Sequence, residues 1–207
     1  MSRIIAGSRR GRRIAMPPGE RTRPTSDRVR EALFSAIAAW AGTAAAPAER
    51  SLAGLAFCDL YAGSGAVGLE AASRGASPVL LVERDRRTAQ LTRANADALG
   101  LAVEIVTSSV EQVLRRPAAH QFDVAFADPP YELHSATVSA QLEQLVANAW
   151  VGSGSLIVVE RSRRTPDLIW PEAAAKCWRR AYGETILSFG SLEPRFTGPA
   201  PDRAPPY

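Results

Sequence analysis

Residues 55–74 constrain the fold more than any other stretch of this chain. Leu55 to Tyr61 is apolar and strand-like, Ala62-Gly63-Ser64-Gly65 follows as a glycine turn, and a helical pattern runs from Ala66 to Arg74. Strand, glycine turn and helix in that order form the first half of a nucleotide-binding βαβ unit. Gly63 permits the tight turn, Gly65 lets the backbone approach a ligand, and Gly68 lets the helix pack close to the strand. A second strand, Pro78 to Val82, ends in Glu83-Arg84. A carboxylate there can accept hydrogen bonds from both ribose hydroxyls of an adenosine.

The spacing of Gly63, Gly65 and Gly68 is formally G-x-G-x-x-G, which fits a nicotinamide dinucleotide as well as S-adenosylmethionine. Asp59, just before the turn, favours the second. A carboxylate suits a cationic ligand better than a pyrophosphate. Further along, the apolar run Phe122 to Ala127 reads as a buried strand and ends in Asp128-Pro129-Pro130-Tyr131. Proline has no backbone N–H, so the ladder stops there. Each proline also pushes the residue before it into an extended conformation. A stiff loop thus holds one carboxylate and one aromatic ring beyond a strand end. Asp128 and a carbonyl of the Pro129-Pro130 segment can accept the two hydrogens of a nucleobase amine, and Tyr131 can stack on the base. This loop has no evident role in hydride transfer.

Together these motifs resemble the class I S-adenosylmethionine-dependent methyltransferases that act on exocyclic amines. The amino terminus narrows the resemblance. Arg3-Ile4-Ile5-Ala6-Gly7, Arg10-Gly11-Arg12, Thr22-Arg23-Pro24-Thr25 and Val29-Arg30-Glu31-Ala32-Leu33-Phe34 are similar to the RsmD family, as is Tyr182-Gly183-Glu184-Thr185. The resemblance implies methyl transfer from S-adenosylmethionine to N2 of a guanine in small-subunit (16S) ribosomal RNA, at position 966. It implies a Rossmann-like α/β fold, with a mostly parallel seven-stranded sheet, helices on both faces and a small amino-terminal hairpin. It implies that Asp128, Pro129, Pro130 and Tyr131 carry the chemistry. Asp59, Ala62, Gly63, Ser64, Gly65, Gly68, Glu83 and Arg84 would hold the donor, with Arg23 and Thr25 beside the same pocket. Relatives often carry an acid after the third strand, where adenine binds. Here Ala102 to Thr107 leads into Ser108-Ser109. These serines either contact adenine or only cap the helix Val110 to Arg115. The competing functions are an adenine-N6 DNA or glutamine-N5 protein methyltransferase, and a non-catalytic RNA-binding assembly factor.

Charge is divided along the chain. Residues 1–30 hold nine arginines against Glu20 and Asp27, a net of +7, in a chain that carries +4 overall, which leaves −3 on the remainder. Such a patch is an electrostatic footprint for RNA phosphate. Arg3 to Ala6 and Arg13 to Met16 flank a Gly/Arg turn, so a hairpin presenting Arg3, Arg9, Arg10, Arg12 and Arg13 to RNA is expected. The division expected is residues 1–25 as a basic extension, 26–193 as the methyltransferase domain, and 194–207, with five prolines in fourteen residues, as a flexible tail.

The elements between these motifs follow from periodicity. A helix capped by Ser26 should run to Trp40, with Val29, Leu33, Ile37 and Trp40 inward. Helices Arg86 to Leu99 and Ser135 to Ala149 are expected, with strands Gly154 to Glu160, Cys177 to Ala181 and Glu184 to Phe189. Residues 42–50 read as a linker. Cys58 and Cys177 do not make a disulfide framework, and His120 and His134 sit in no metal-ligand pattern. No apolar stretch is long enough to span a membrane, and the basic terminus lacks the apolar run of a signal peptide. The expectation is a cytoplasmic monomer without metal, whose partner is 16S ribosomal RNA in the small subunit or an assembly intermediate.

Overall fold

The computed structural model describes residues 2–17 and 26–192. Its centre is a seven-stranded sheet in the order β5-β4-β3-β6-β7-β9-β8. The strands are β3 (Phe57–Asp59), β4 (Val79–Glu83), β5 (Glu104–Thr107), β6 (Val124–Ala127), β7 (Leu156–Ser162), β8 (Ala174–Tyr182) and β9 (Thr185–Leu192). Strands β3 to β7 are parallel, and β9 runs antiparallel to both β7 and β8. The expected α/β class and strand number are therefore observed.

Parallel strands are buried on both faces, and alternate residues feed two cores. Phe57, Leu81, Phe126 and Val158 face one side, where they meet Leu33, Phe34, Ile37 and Leu69. These come from α1 (Asp27–Trp40) and α2 (Ala66–Ser73). Ala96 and Leu99 of α3 (Arg86–Leu99) join the same core. Cys58, Val82, Ala125 and Val159 face the other side. There they meet α4 (Val110–Leu114) and α5 (Ser135–Ala147) through Leu114, Leu142 and Leu145. Ser26 caps α1 as expected, its hydroxyl accepting from Val29 N–H at 3.3 Å. Helix α5 stops two residues before the expected Ala149, which lies past the cap with φ +58°.

The amino-terminal hairpin forms from β1 (Ser2–Arg3) and β2 (Arg13–Ile14). Its isoleucines belong to the main core, with Ile4 and Ile14 at 0% and 1% exposure. Its backbone is gripped by charges inside the protein. The fully buried Glu70 of α2 accepts from Ile5 N–H at 2.6 Å and Ala6 N–H at 2.9 Å, and pairs with Arg74 at 2.9 Å. The fully buried Arg30 of α1 donates to Ser2 Oγ at 3.1 Å and to the Arg3 carbonyl at 2.6 Å. Gly7 touches α2 so closely that a Cβ would stand 2.1 Å from the Ser73 carbonyl oxygen.

Two of the arginines assigned to RNA bond to the protein's own backbone. Arg9 donates to the carbonyls of Leu99 and Gly100, and Arg12 donates to Ala98 at 3.2 Å, all at the carboxyl end of α3. A cation there satisfies the helix's last carbonyls. Arg3 pairs with Asp27 at 3.2 Å, while Arg10 and Arg13 are exposed. Helices of a parallel α/β sheet run opposite to its strands. The hairpin tip, seated on the carboxyl ends of α2 and α3, therefore lies at the edge where the strands begin. The tail expected over 194–207 lies outside the described residues.

Candidate active site

Strand order reverses at β3, since β4 lies on one side of it and β6 on the other. Open α/β sheets bind ligands outside the carboxyl ends of the strands at such a point. Asp59 ends β3, Glu83 ends β4, and Asp128 follows β6, so the topology brings three carboxylates from distant sequence to one crevice.

Asp59 is 1% exposed. One carboxylate oxygen accepts from Gly68 N–H at 2.9 Å, which ties β3 to the first turn of α2. The other, Oδ1, is buried with no hydrogen-bond partner among the described residues. Burial pushes the Asp59 carboxyl up to about 7, the Gly68 N–H opposes that rise, and the neighbouring Asp128 and Glu83 add to it. An orphaned buried oxygen beside two further acids is arranged for a cation.

The glycine turn supplies the rest of the cradle. Gly63 has φ +52°, and a Cβ on it would meet nothing within 4 Å, so its outer side is open. Gly65 caps α2 in the left-handed region at φ +82°. A Cβ there would lie 2.7 Å from Thr92 Cγ2, so the close approach at Gly65 is to the protein's own α3, not to the open side. A Cβ on Gly68 would lie 2.7 Å from Leu81 Cγ, which is the tight helix–strand packing expected. Ala62 and Ser64 are buried in the turn at 8% and 5% exposure. Glu83 accepts from Gly63 N–H at 2.9 Å and Asp85 N–H at 2.7 Å. Both oxygens are thereby fixed at the crevice mouth, and each keeps a lone pair for a further donor.

Arg84 follows as an exposed residue. Ser109 caps α4, its hydroxyl accepting from Gln112 N–H at 3.2 Å. The Ser108 N–H donates to the Glu83 carbonyl at 3.1 Å, which keeps Ser108 beside the end of β4. Arg23 and Thr25 lie outside the described residues.

The Asp128-Pro129-Pro130-Tyr131 loop leaves β6 with Asp128 half-buried, Pro129 buried and Tyr131 58% exposed. It is held from below by a residue that sequence reading passed over as an active-site part. Arg161, in β7 and 6% exposed, donates to the Pro130 carbonyl at 3.2 Å and to the Leu133 carbonyl at 2.6 Å. Its charge also faces Asp128, Tyr61 and Tyr131. The signal was present in sequence: Ile157, Val159 and Arg161 share one face of β7, and a cation on an otherwise apolar inward face needs a buried partner.

Residues 2–191 match the family described as Conserved hypothetical protein 95. The Ribosomal RNA small subunit methyltransferase D of Haemophilus influenzae is 34% identical over 174 residues, covering 82% of this chain and 83% of that one. The chain belongs to the RsmD family. A solved structure of a hypothetical protein from Thermus thermophilus superposes with a TM-score of 0.74 at 31% identity, over 93% of this chain and all of its own. The 16S rRNA N2 G1207 methyltransferase of T. thermophilus, solved with AdoMet and guanosine, superposes with a TM-score of 0.63 over 87% of this chain and 47% of its own. At 18% identity that likeness shows the shared fold. The cofactor of this class I methyltransferase family is S-adenosylmethionine. The crevice fits it, with a buried unpartnered carboxylate oxygen for a cation and an open glycine turn beside Glu83. Among the described residues no cluster of histidine, cysteine, aspartate and glutamate could hold a metal ion, and no helix is long and apolar enough to cross a membrane.

Proposed function

We infer that the protein methylates the exocyclic N2 amine of a guanine in small-subunit ribosomal RNA, with guanine 966 as the target. The observation that carries this reading is the Asp128-Pro129-Pro130-Tyr131 loop, braced by Arg161 at the switch point beside the donor cradle. The donor supplies an electrophilic methyl group on a sulfonium.

The amine is a poor nucleophile because its lone pair is delocalised into the base. Asp128 accepts one of its hydrogens and a backbone carbonyl the other, which favours a pyramidal nitrogen with an available lone pair. The Pro130 carbonyl already accepts from Leu133 N–H at 3.0 Å and from Arg161 at 3.2 Å, which fills its two lone pairs. The amine's second acceptor is therefore the Pro129 carbonyl. Tyr131 stacks on a guanine drawn out of its helix or loop. Glu83 accepts from the donor's ribose hydroxyls, and Asp59 meets its positive charge. Asp128 need not be a strong base, because the amine becomes acidic once methylated. Most of the acceleration comes from positioning and electrostatics. The protein acts as a cytoplasmic monomer on ribosomal RNA in the subunit or an assembly intermediate.

The test is incubation with labelled donor and small subunits lacking the modification, followed by mapping of the labelled nucleoside. N2-methylguanosine is expected. N6-methyladenosine, methylglutamine or no label would each replace the reading. In the same assay Asp128→Ala should abolish transfer and keep donor binding, whereas near-normal turnover in that variant would overturn the mechanism.

A further inference from the structure

We propose that a phosphate-binding site for the RNA strand flanking the target base lies in the cleft lined by Arg163, Arg179, Ala181 and Ile186. The inference rests on the ribosomal RNA reading above and adds where that RNA is held. The cleft is open to solvent and has a volume of about 400 Å³. Residues 163–184 carry Arg163, Arg164, Lys176, Arg179 and Arg180 against three carboxylates, an excess of positive charge in the part of the chain that is otherwise net acidic.

Its position follows from strand register. β7 is parallel to β6, so Arg163, just beyond the end of β7, lies at the same edge of the sheet as Asp128. Arg179 pairs across with Ser188, Ser188 with Val159, and Val159 with Ala127, which places Arg179 level with the last residue before Asp128. Ile186 pairs with both Arg161 and Ala181, so these three share a face. The cleft thus adjoins the arginine that braces the Pro130–Leu133 loop. From β6 to β8 is three strand spacings, about 14 Å, a span that RNA backbone leaving the target base can cross.

The arginines here are available to an anion. Arg179 pairs with Asp167 at 2.8 Å, with side chains 63% and 84% exposed, and Arg164 pairs with Glu184 at 3.3 Å, at 85% and 65%. Exposed ion pairs contribute little, and a phosphate accepts a guanidinium in a bidentate way. Of the hairpin arginines, Arg10 and Arg13 are exposed. Arg9 and Arg12 are engaged with α3 carbonyls, and the tip lies at the opposite edge of the sheet.

The test compares the full-length protein with an Arg163→Ala/Arg179→Ala variant and an Arg10→Ala/Arg13→Ala variant, in binding to small-subunit ribosomal RNA across a salt series. The cleft variant should bind about tenfold more weakly at physiological salt. Its log–log salt slope should be shallower by about 1.5, two phosphate contacts at roughly 0.7–0.9 each. Its donor affinity should match the parent's, which also reports intact folding, and its KM for RNA should rise. The hairpin variant should change less. If the parent methylates guanine in this RNA but the cleft variant keeps the parental affinity and slope, the cleft is not the site and the proposed function stands. A larger loss in the hairpin variant overturns the cleft in the same way. If the parent neither binds nor methylates the RNA, the function reading fails, and the cleft with it.

Discussion

At the scale of single residues, Asp59 gives the crevice a titration of its own. Burial raises its carboxyl to about 7, above the ordinary 3.8 that it keeps when unfolded. The folded protein therefore binds this proton more tightly than the unfolded chain. The stability it contributes is fully present below about pH 4 and is lost as pH rises through about 7. Donor binding has the opposite sign, because a cation meets the ionised form. Calorimetry between pH 6 and 8 should show donor affinity rising in the parent and flat in Asp59→Asn, and denaturation over pH 4.5 to 7.5 should show a stability loss that the variant lacks. A parent with constant donor affinity would separate Asp59 from the donor's charge. Arg161 acts differently, through the carbonyls it holds. Arg161→Met should lower turnover by about 10²-fold, the scale of an ångström of misplacement, with donor affinity retained and partial rescue by Arg161→Lys. Equal losses in turnover and donor affinity would mean general unfolding. The glycines and Asp128 were legible because each motif is local in sequence. Arg161 was not, because its carbonyl partners lie about thirty residues away and only the register of β6 with β7 brings them near.

Among the elements, the strands show where pattern suffices and where it does not. β6 and β7 stand out as apolar runs because both of their faces are covered. β8 was expected over five residues and extends from Ala174 to Tyr182, because an edge strand with exposed Lys176, Arg179 and Arg180 carries no apolar run to mark its ends. β3 is shorter than the apolar stretch 55–61, since Ala56 N–H is taken by the Asp123 carboxylate at 2.8 Å rather than by a neighbouring strand. Helix α2 shows a further limit. Glu70 reads as one acid on a small-residue helix, and its partners are the hairpin amides 64 and 65 positions upstream. Glu70→Ala would leave two amides and Arg74 without their acceptor. A loss of about 3–5 kcal/mol is expected, as for breaking a buried pair from one side. Hydrogen exchange should show the Ile5 and Ala6 amides losing protection first. Unchanged protection there would mean that the hairpin is held by its isoleucines alone.

For the molecule as a whole, the hairpin and the sheet share one hydrophobic core. The charge division along the sequence marks residues 1–25 as a basic extension, and composition reports charge but not depth. In the fold, Ile4 and Ile14 are at 0% and 1% exposure in the same core as Leu33, Phe34 and Leu69. Asn95 of α3 then ties Ala15 to the glycine turn, donating to the carbonyls of Ala15 and Ser64 at 3.0 Å each. That link joins the strand leaving the hairpin to the donor cradle. Deleting residues 1–17 should therefore cost at least about 3–6 kcal/mol, from two isoleucines at 1.5–3 kcal/mol each, before the bonds to Glu70 and Arg30 are counted. Denaturation of the parent should be a single transition, shifted to lower denaturant in the truncated chain. Donor affinity should fall too, because Asn95 loses one of the two carbonyls that fix it beneath Ser64. A truncated chain with the parental midpoint and donor affinity would restore the extension as an independent module, and the arginines of its tip would regain their claim on the RNA.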